Sequence, residues 1–255
     1  MRVGPLPSWL DRARLLGPGD WHLEGDQAEA VLETTAAADL AARLRGLGFG
    51  GRAVEVAVSP PLKRAAVRAG RTRDARRRRD TTPGFTRRGV RLDAEGRTSL
   101  TPEALALRIG QRYAGQRVID ATCGVGGNAI GFARAGCAVV AVERDRGRLG
   151  MAAHNARIYG VALDLRLGDA RALVPTLAAD LLFVDPPWGA DWDRRRTSLT
   201  ELPLLAALAA RWSGPLLAKV PPSLVPPDGW AAEAWFGEAA GDARRVKFLL
   251  IRREG

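Results

Sequence analysis

The sequence is poor in the residues that build redox and metal chemistry. Its 255 residues include two cysteines and two histidines. Cys123 and Cys137 cannot form a disulfide scaffold, and with His22 and His154 they are too few for an ordinary zinc site, so no metal is expected. Lysine is almost absent: Lys63, Lys219 and Lys247 stand against 36 arginines. No apolar run reaches the roughly 20 residues that cross a bilayer, so no membrane partner is expected. The first residues, Met1 to Pro5, are not followed by an apolar stretch, which gives no reason to expect a secretory signal. A reducing, cytoplasmic setting is the expectation. Hydrophobic residues at 46% and charged residues at 26% exclude wholesale disorder and low complexity.

Acidic charge is also scarce, and the imbalance is localised. The net charge is +11. Between Lys63 and Arg91 lie twelve basic residues and two acids, Asp74 and Asp80, so +10 of the net charge falls there. A codon bias toward arginine accounts for Arg over Lys but not for the clustering. Such a stripe is either a solvated linker or the footprint of a polyanion. The second reading makes Arg76, Arg77, Arg78, Arg79, Arg87 and Arg88 candidate phosphate contacts.

Residues 1–99 read as a smaller N-terminal region. An amphipathic helix is expected over about Ala28 to Leu44, a strand at Val54–Val58, and a short hairpin with arms Gly89–Asp93 and Arg97–Leu100. From residue 100 to 255 the pattern is regular. Thr101-Pro102-Glu103 carries the signature of a helix start. Apolar strands at 117–120, 138–142, 163–167, 181–184, 215–220 and 246–251 are separated by helices at about 128–135, 146–159 and 202–211. That alternation predicts an α/β fold with a mostly parallel sheet covered on both faces, which binds ligands at the carboxyl ends of its strands.

Four consecutive strands deliver an acid to that edge: Asp120, Glu143, Asp169 and Asp185. After Asp120 comes a glycine-rich turn, Gly124-Val125-Gly126-Gly127. Glu143 lies 23 residues beyond Asp120, where an acid can hold two ribose hydroxyls. Asp169 is placed to accept from an adenine amino group. Together they describe a pocket for an adenosine-bearing cofactor. Asp185-Pro186-Pro187-Trp188 specifies the chemistry further. Two prolines rigidify the strand exit. A carboxylate and a backbone carbonyl held there accept both hydrogens of a planar amine and aim its lone pair at an electrophile. The Trp188 indole offers a face for a base, worth roughly 1–3 kcal/mol. This arrangement suits an N-methyltransferase using S-adenosylmethionine and has no use in hydride transfer.

The segments GVRLDAEGRTSLTPEALALRIG, VIDATCGVGGNAIGFARAG, HNARIYGV and DPPWGA, in that order between Gly89 and Ala190, resemble the RNA guanine-N2 methyltransferases of the trimethylguanosine synthase family. The resemblance covers about two-fifths of the chain. It implies a Rossmann-like class I methyltransferase fold with a seven-stranded, mostly parallel sheet. It implies S-adenosylmethionine binding by Thr101, Asp120, Gly124, Gly126, Glu143 and Asp169, with Pro102, Cys123, Asn128 and Ala170 in the same motifs. It implies methyl transfer to N2 of a guanine stacked on Trp188. The cap enzymes usually carry Ser where this chain has Asp185, and an aromatic pair where it has Arg97-Thr98. A guanine of tRNA or rRNA is therefore as good a target as a capped RNA, and adenine N6 in RNA or DNA is a further alternative, as is a non-catalytic RNA-binding role on the same fold. Cys123 has no basic partner that would make it a nucleophile. His154, Asn155 and Tyr159 read as residues that tie their helix to its surroundings. Trp192 with Arg194, Arg195 and Arg196 could form a lid with arginines on phosphates.

Overall fold

The computed structural model describes residues 1–188 and 193–255. The N-terminal part runs β1 (Arg2–Gly4), α1 (Arg12–Leu16), β2 (His22–Glu24), β3 (Gln27–Glu29), α2 (Thr34–Leu44), β4 (Gly48–Phe49), β5 (Arg52–Ala53), β6 (Glu55–Ala57) and α3 (Arg64–Arg77). An antiparallel sheet of order β2-β3-β1-β6 forms its base. The helix expected from Ala28 begins only at Thr34. Residues 27–29 alternate, with Ala28 buried between two polar neighbours, and this period-2 pattern places them in the sheet opposite β1. Leu40 and Leu44 of α2 then close the core over Val3, Leu6, Leu15 and Phe49.

The basic segment forms α3 rather than an open linker. Gly70 lets α3 approach α2 closely: a β-carbon there would lie 2.5 Å from the Ala38 carbonyl. After α3 the chain becomes a strap pinned along its length. Thr82 donates from its backbone N (2.9 Å) and its Oγ1 (2.7 Å) to the buried Asp242 carboxylate. The Thr86 amide and hydroxyl both donate to Glu103 at 2.7 Å. Further on, Asn155 receives the Arg91 amide at 2.7 Å and donates to the Arg91 carbonyl at 2.9 Å. The expected hairpin at 89–100 is instead a strap end followed by α4 (Ala94–Ser99). The physical reason is Asp93, whose side chain accepts the Gly96 amide at 2.6 Å and caps a helix where a turn was expected.

The remaining elements are α5 (Glu103–Gln111), β7 (Arg117–Asp120), α6 (Gly127–Arg134), β8 (Ala138–Glu143), α7 (Arg146–Tyr159), β9 (Asp164–Leu167), α8 (Ala170–Leu173), β10 (Leu181–Val184), α9 (Pro203–Arg211), β11 (Leu216–Val220), β12 (Ala231–Phe236) and β13 (Val246–Arg253). They form a seven-stranded sheet of order β12-β13-β11-β10-β7-β8-β9. β7 to β11 run parallel, and β13 is antiparallel to both its neighbours. This is a Rossmann-like α/β fold with a mostly parallel seven-stranded sheet. Alternation along β10 sends Leu181 and Phe183 to the face covered by α5 and α6, and Leu182 and Val184 to the face covered by α8 and α9. β12 was not legible in the sequence because its alternation, Ala231 to Phe236, is built on alanines.

Candidate active site

The strand order reverses between β7 and β10, and the crevice at their carboxyl ends is where such sheets bind ligands. Two acids meet there. Asp120 ends β7 fully buried; its Oδ1 accepts the Thr122 amide at 3.1 Å and its Oδ2 has no partner. Burial, reinforced by Asp185 and Glu143, pushes its carboxyl up to about 7, although the Thr122 amide opposes the shift. The loops after the two strands are stitched together. The Ala121 amide donates to the Phe183 carbonyl (2.9 Å), and the Asp185 amide donates to Thr122 Oγ1 (2.8 Å).

The glycine turn is held from β8. The Cys123 amide bonds the Val142 carbonyl at 2.9 Å, and Gly126 bonds back to Cys123 at 2.8 Å. Gly126 caps α6 at φ 97°, a left-handed conformation that favours glycine. Glu143 accepts the Gly124 amide on Oε2 and the Asp145 amide on Oε1, each at 2.9 Å, so each oxygen keeps a lone pair for a ligand. Asn128, on the first turn of α6, donates from Nδ2 to Asp185 Oδ2 at 3.0 Å, while its buried Oδ1 has no partner. Thr101 was expected to cap the next helix. The cap position falls on Pro102 instead, and the buried Thr101 hydroxyl is left unpartnered. Asp169 is half-exposed and caps α8 through the Arg171 amide at 2.8 Å; Ala170 behind it is buried. Burial, then the nearby Asp120 and Glu143, raise the Cys123 thiol, which keeps it protonated and unreactive.

Lys219, the next-to-last residue of β11, is the charged residue beside Asp185 that was missed in the sequence. It is 5% exposed, and its Nζ donates to Asp185 Oδ2 at 2.8 Å and to the Ser99 carbonyl at 3.0 Å. The same nitrogen lies 5.5 Å from the centroid of the Trp188 ring. Burial raises the Asp185 carboxyl, and Lys219 followed by Asn128 opposes that shift. The available signal was compositional: one of three lysines in an arginine-rich chain, set in the apolar strand Leu216–Val220. Among the described residues no donor reaches Asp185 Oδ1 or the Pro186 carbonyl. Pro186 is buried and Pro187 exposed. Trp188 is half-buried and packs on the apolar clusters of both sheet faces, so part of its indole belongs to the core.

The arginines expected to meet phosphates are distributed unevenly. Arg76 and Arg79 are exposed, whereas Arg77 pairs with Asp39 (3.0 Å) and Arg78 with Asp74 (3.1 Å). Arg87 stacks over Tyr159 at 4.8 Å and donates to the Ile158 carbonyl, while Arg88 is exposed. Tyr159 and Asn155 tie α7 to the strap through Glu103 and Arg91, and His154 Nε2 lies 2.8 Å from the Gly89 carbonyl. Arg194, Arg195 and Arg196 are exposed; Trp192 lies outside the described residues. Among the described residues no group of three or more His, Cys, Asp or Glu could hold a metal ion, and no helix is long and apolar enough to cross a membrane.

Residues 115–199 match the family model of the RNA cap guanine-N2 methyltransferases. The chain is similar to the trimethylguanosine synthase of Schizosaccharomyces pombe, with 36% identity over 113 residues that cover 40% of this chain and 47% of the relative. It is 40% identical over 80 residues to the ribosomal RNA small subunit methyltransferase J of Rhodopseudomonas palustris, covering 28% of this chain and 37% of that one. The chain thus spans less than half the length of these curated relatives. Among solved structures, the Thermus thermophilus 16S rRNA N2 G1207 methyltransferase in complex with AdoMet and guanosine aligns at TM-score 0.45 and 16% identity, over 62% of this chain and 44% of that one.

Proposed function

We propose that this protein transfers a methyl group from S-adenosylmethionine to the exocyclic amine of a nucleobase in RNA, with guanine N2 as the preferred position. The observation that carries the reading is the state of Asp185. One oxygen is bonded by the Lys219 ammonium and the Asn128 amide, and among the described residues no donor takes the other or the carbonyl of the next residue, Pro186. Two acceptors on consecutive residues suit an amine with two hydrogens. They orient its lone pair outward and disperse the positive charge that grows on nitrogen as the new bond forms.

The residues around the crevice fit the cofactor. Asp120 Oδ2 and Asn128 Oδ1 are buried acceptors without donors, and the Thr101 hydroxyl is a buried group without any partner. Such groups are costly unless a ligand satisfies them. An ammonium group and ribose hydroxyls bring the donors. Glu143, held by two backbone amides, would take the ribose hydroxyls, and Asp169 with Ala170 would border the adenine. Bound S-adenosylmethionine supplies an electrophilic methyl on a positively charged sulfur. Glu143 and Asp185, joined by Asp120 once it ionises, outnumber the Lys219 ammonium and favour a ligand of net positive charge. The exposed part of Trp188 stacks the base. Exposed arginines of α3 and the strap, Arg76, Arg79 and Arg88, with Arg194 and Arg195, contact RNA phosphates. Similarity to the guanine-N2 enzymes supports guanine over adenine as the target.

Calorimetric titration with S-adenosylmethionine, followed by transfer of labelled methyl to total RNA, tests the reading. Binding and RNA labelling, both lost in Glu143→Gln with Asp120→Asn, are expected. Absence of cofactor binding in the folded wild type would favour an RNA-binding scaffold without catalysis.

A further inference from the structure

A cavity of about 330 Å³ lies away from the crevice, where α2 and α3 meet the turn before β13. Four guanidinium groups from three separate stretches line it: Arg43 on α2, Arg77 on α3, and Arg244 and Arg245 on the turn. Asp74 is the sole carboxylate in the lining. Gly241 holds the turn against α3, because a side chain there would run into the Arg77 and Asp80 carbonyls.

The charges do not balance within this cluster. Asp74 is already shared by Arg245 and Arg78. Arg77 is met by Asp39, which also serves Arg73 at 2.7 Å. No carboxylate pairs with Arg244 among the described residues. Arg43 turns its Nη2 to the carbonyls of Leu15 (2.7 Å) and Leu16 (3.2 Å), while its buried Nε donates to nothing. Burial, then repulsion from Arg244 and Arg245, lowers the Arg43 guanidinium to about 10. Guanidinium groups crowded around a cavity, with an unfilled N–H among them, are expensive unless an anion enters. Their planar forks match phosphate oxygens.

We propose that the cavity lined by Arg43, Arg77, Arg244 and Arg245 is a phosphate-binding site, filled by a phosphate of a bound RNA or by a free polyphosphate. The site stands on this cluster alone and does not depend on the methyl-transfer reading. If RNA is the source, the cavity anchors the substrate on the face that carries α3, remote from the reacting amine.

The test uses the full chain with Arg244→Glu, an exposed position whose reversal leaves the Asp74 pairs intact. Folding is checked by the thermal midpoint without ligand. Inorganic pyrophosphate is titrated by calorimetry at constant ionic strength, and a fluorescein-labelled single-stranded RNA is titrated by anisotropy with and without pyrophosphate. Pyrophosphate should bind the wild type and bind Arg244→Glu about tenfold more weakly or worse, given the loss of a charge-assisted contact and the added repulsion. If pyrophosphate also displaces the RNA, the natural phosphate is the RNA's; if it binds without displacing RNA, the site takes a free polyphosphate. Equal pyrophosphate affinity in both proteins, or no binding to the wild type, overturns the proposal.

Discussion

Replacing Lys219 by Met removes the cation beside Asp185 at nearly constant volume. Both partners are largely enclosed, with side chains 6% and 16% exposed, so solvent cannot take the place of the ammonium. An ionised Asp185 left alone costs about 3–5 kcal/mol. The alternative is to protonate it. From an unfolded value near 3.9, that costs about 1.4 kcal/mol per pH unit, or roughly 1.5 kcal/mol at pH 5 and 4 kcal/mol at pH 7. The sign follows: the variant's folded carboxyl titrates far above its unfolded value, so its stability is greatest at low pH and declines as pH rises. Urea unfolding of wild type and Lys219→Met at pH 5, 6 and 7 reads this difference directly. The gap between the two proteins should widen with pH, by at most about 2.5 kcal/mol over that range, because burial also raises the wild-type carboxyl. The lost bond to the Ser99 carbonyl adds an offset without a slope. A gap independent of pH would mean that Lys219 does not hold Asp185 in its charged form.

Asp185→Ala should abolish methyl transfer while leaving S-adenosylmethionine affinity within a few-fold; undiminished turnover contradicts the assignment of the amine-binding acceptor. Asp120 titrates near 7 when folded, mainly through burial, so the ligand-free protein loses stability as pH rises from about 4 to about 7. Asp120→Asn should flatten that decline and be the more stable protein at pH 8, while binding the cofactor more weakly; thermal midpoints across pH and calorimetry check both. Arg76→Glu with Arg79→Glu should weaken RNA binding and shallow its salt dependence without changing cofactor affinity, as measured by anisotropy from 50 to about 200 mM salt. Identical RNA affinity at low salt removes α3 from the RNA surface.

Residues 100–255 were readable because their signals are local and redundant. Apolar strands alternate with helices, and β7, β8 and β10 each present an acid at the same edge as Asp120, Glu143 and Asp185. α7 was placed residue for residue, bounded by Asp145 as its cap and Gly160 in a left-handed turn. What escaped depends on long-range contacts. Arg97-Thr98-Ser99-Leu100 has strand-like residues, yet the Asp93 cap makes α4 of them. Thr101 has the chemistry of a helix cap, but its hydroxyl is buried without a partner and the cap position falls on Pro102. Lys219 sits 34 residues from Asp185 in sequence, and only the β10–β11 pairing brings them together. The basic stretch announced charge but not geometry: Asp39 and Asp74 neutralise part of it, and Arg43, Arg244 and Arg245 join it from outside.

Nucleoside mass spectrometry is the most direct measurement of the central claim. RNA is incubated with the protein and isotopically labelled S-adenosylmethionine, then digested and separated. The account predicts labelled N2-methylguanosine, absent when Asp185→Ala replaces the wild type. Label on a ring carbon or a ribose oxygen, which an acceptor pair for an amine cannot serve, would contradict it.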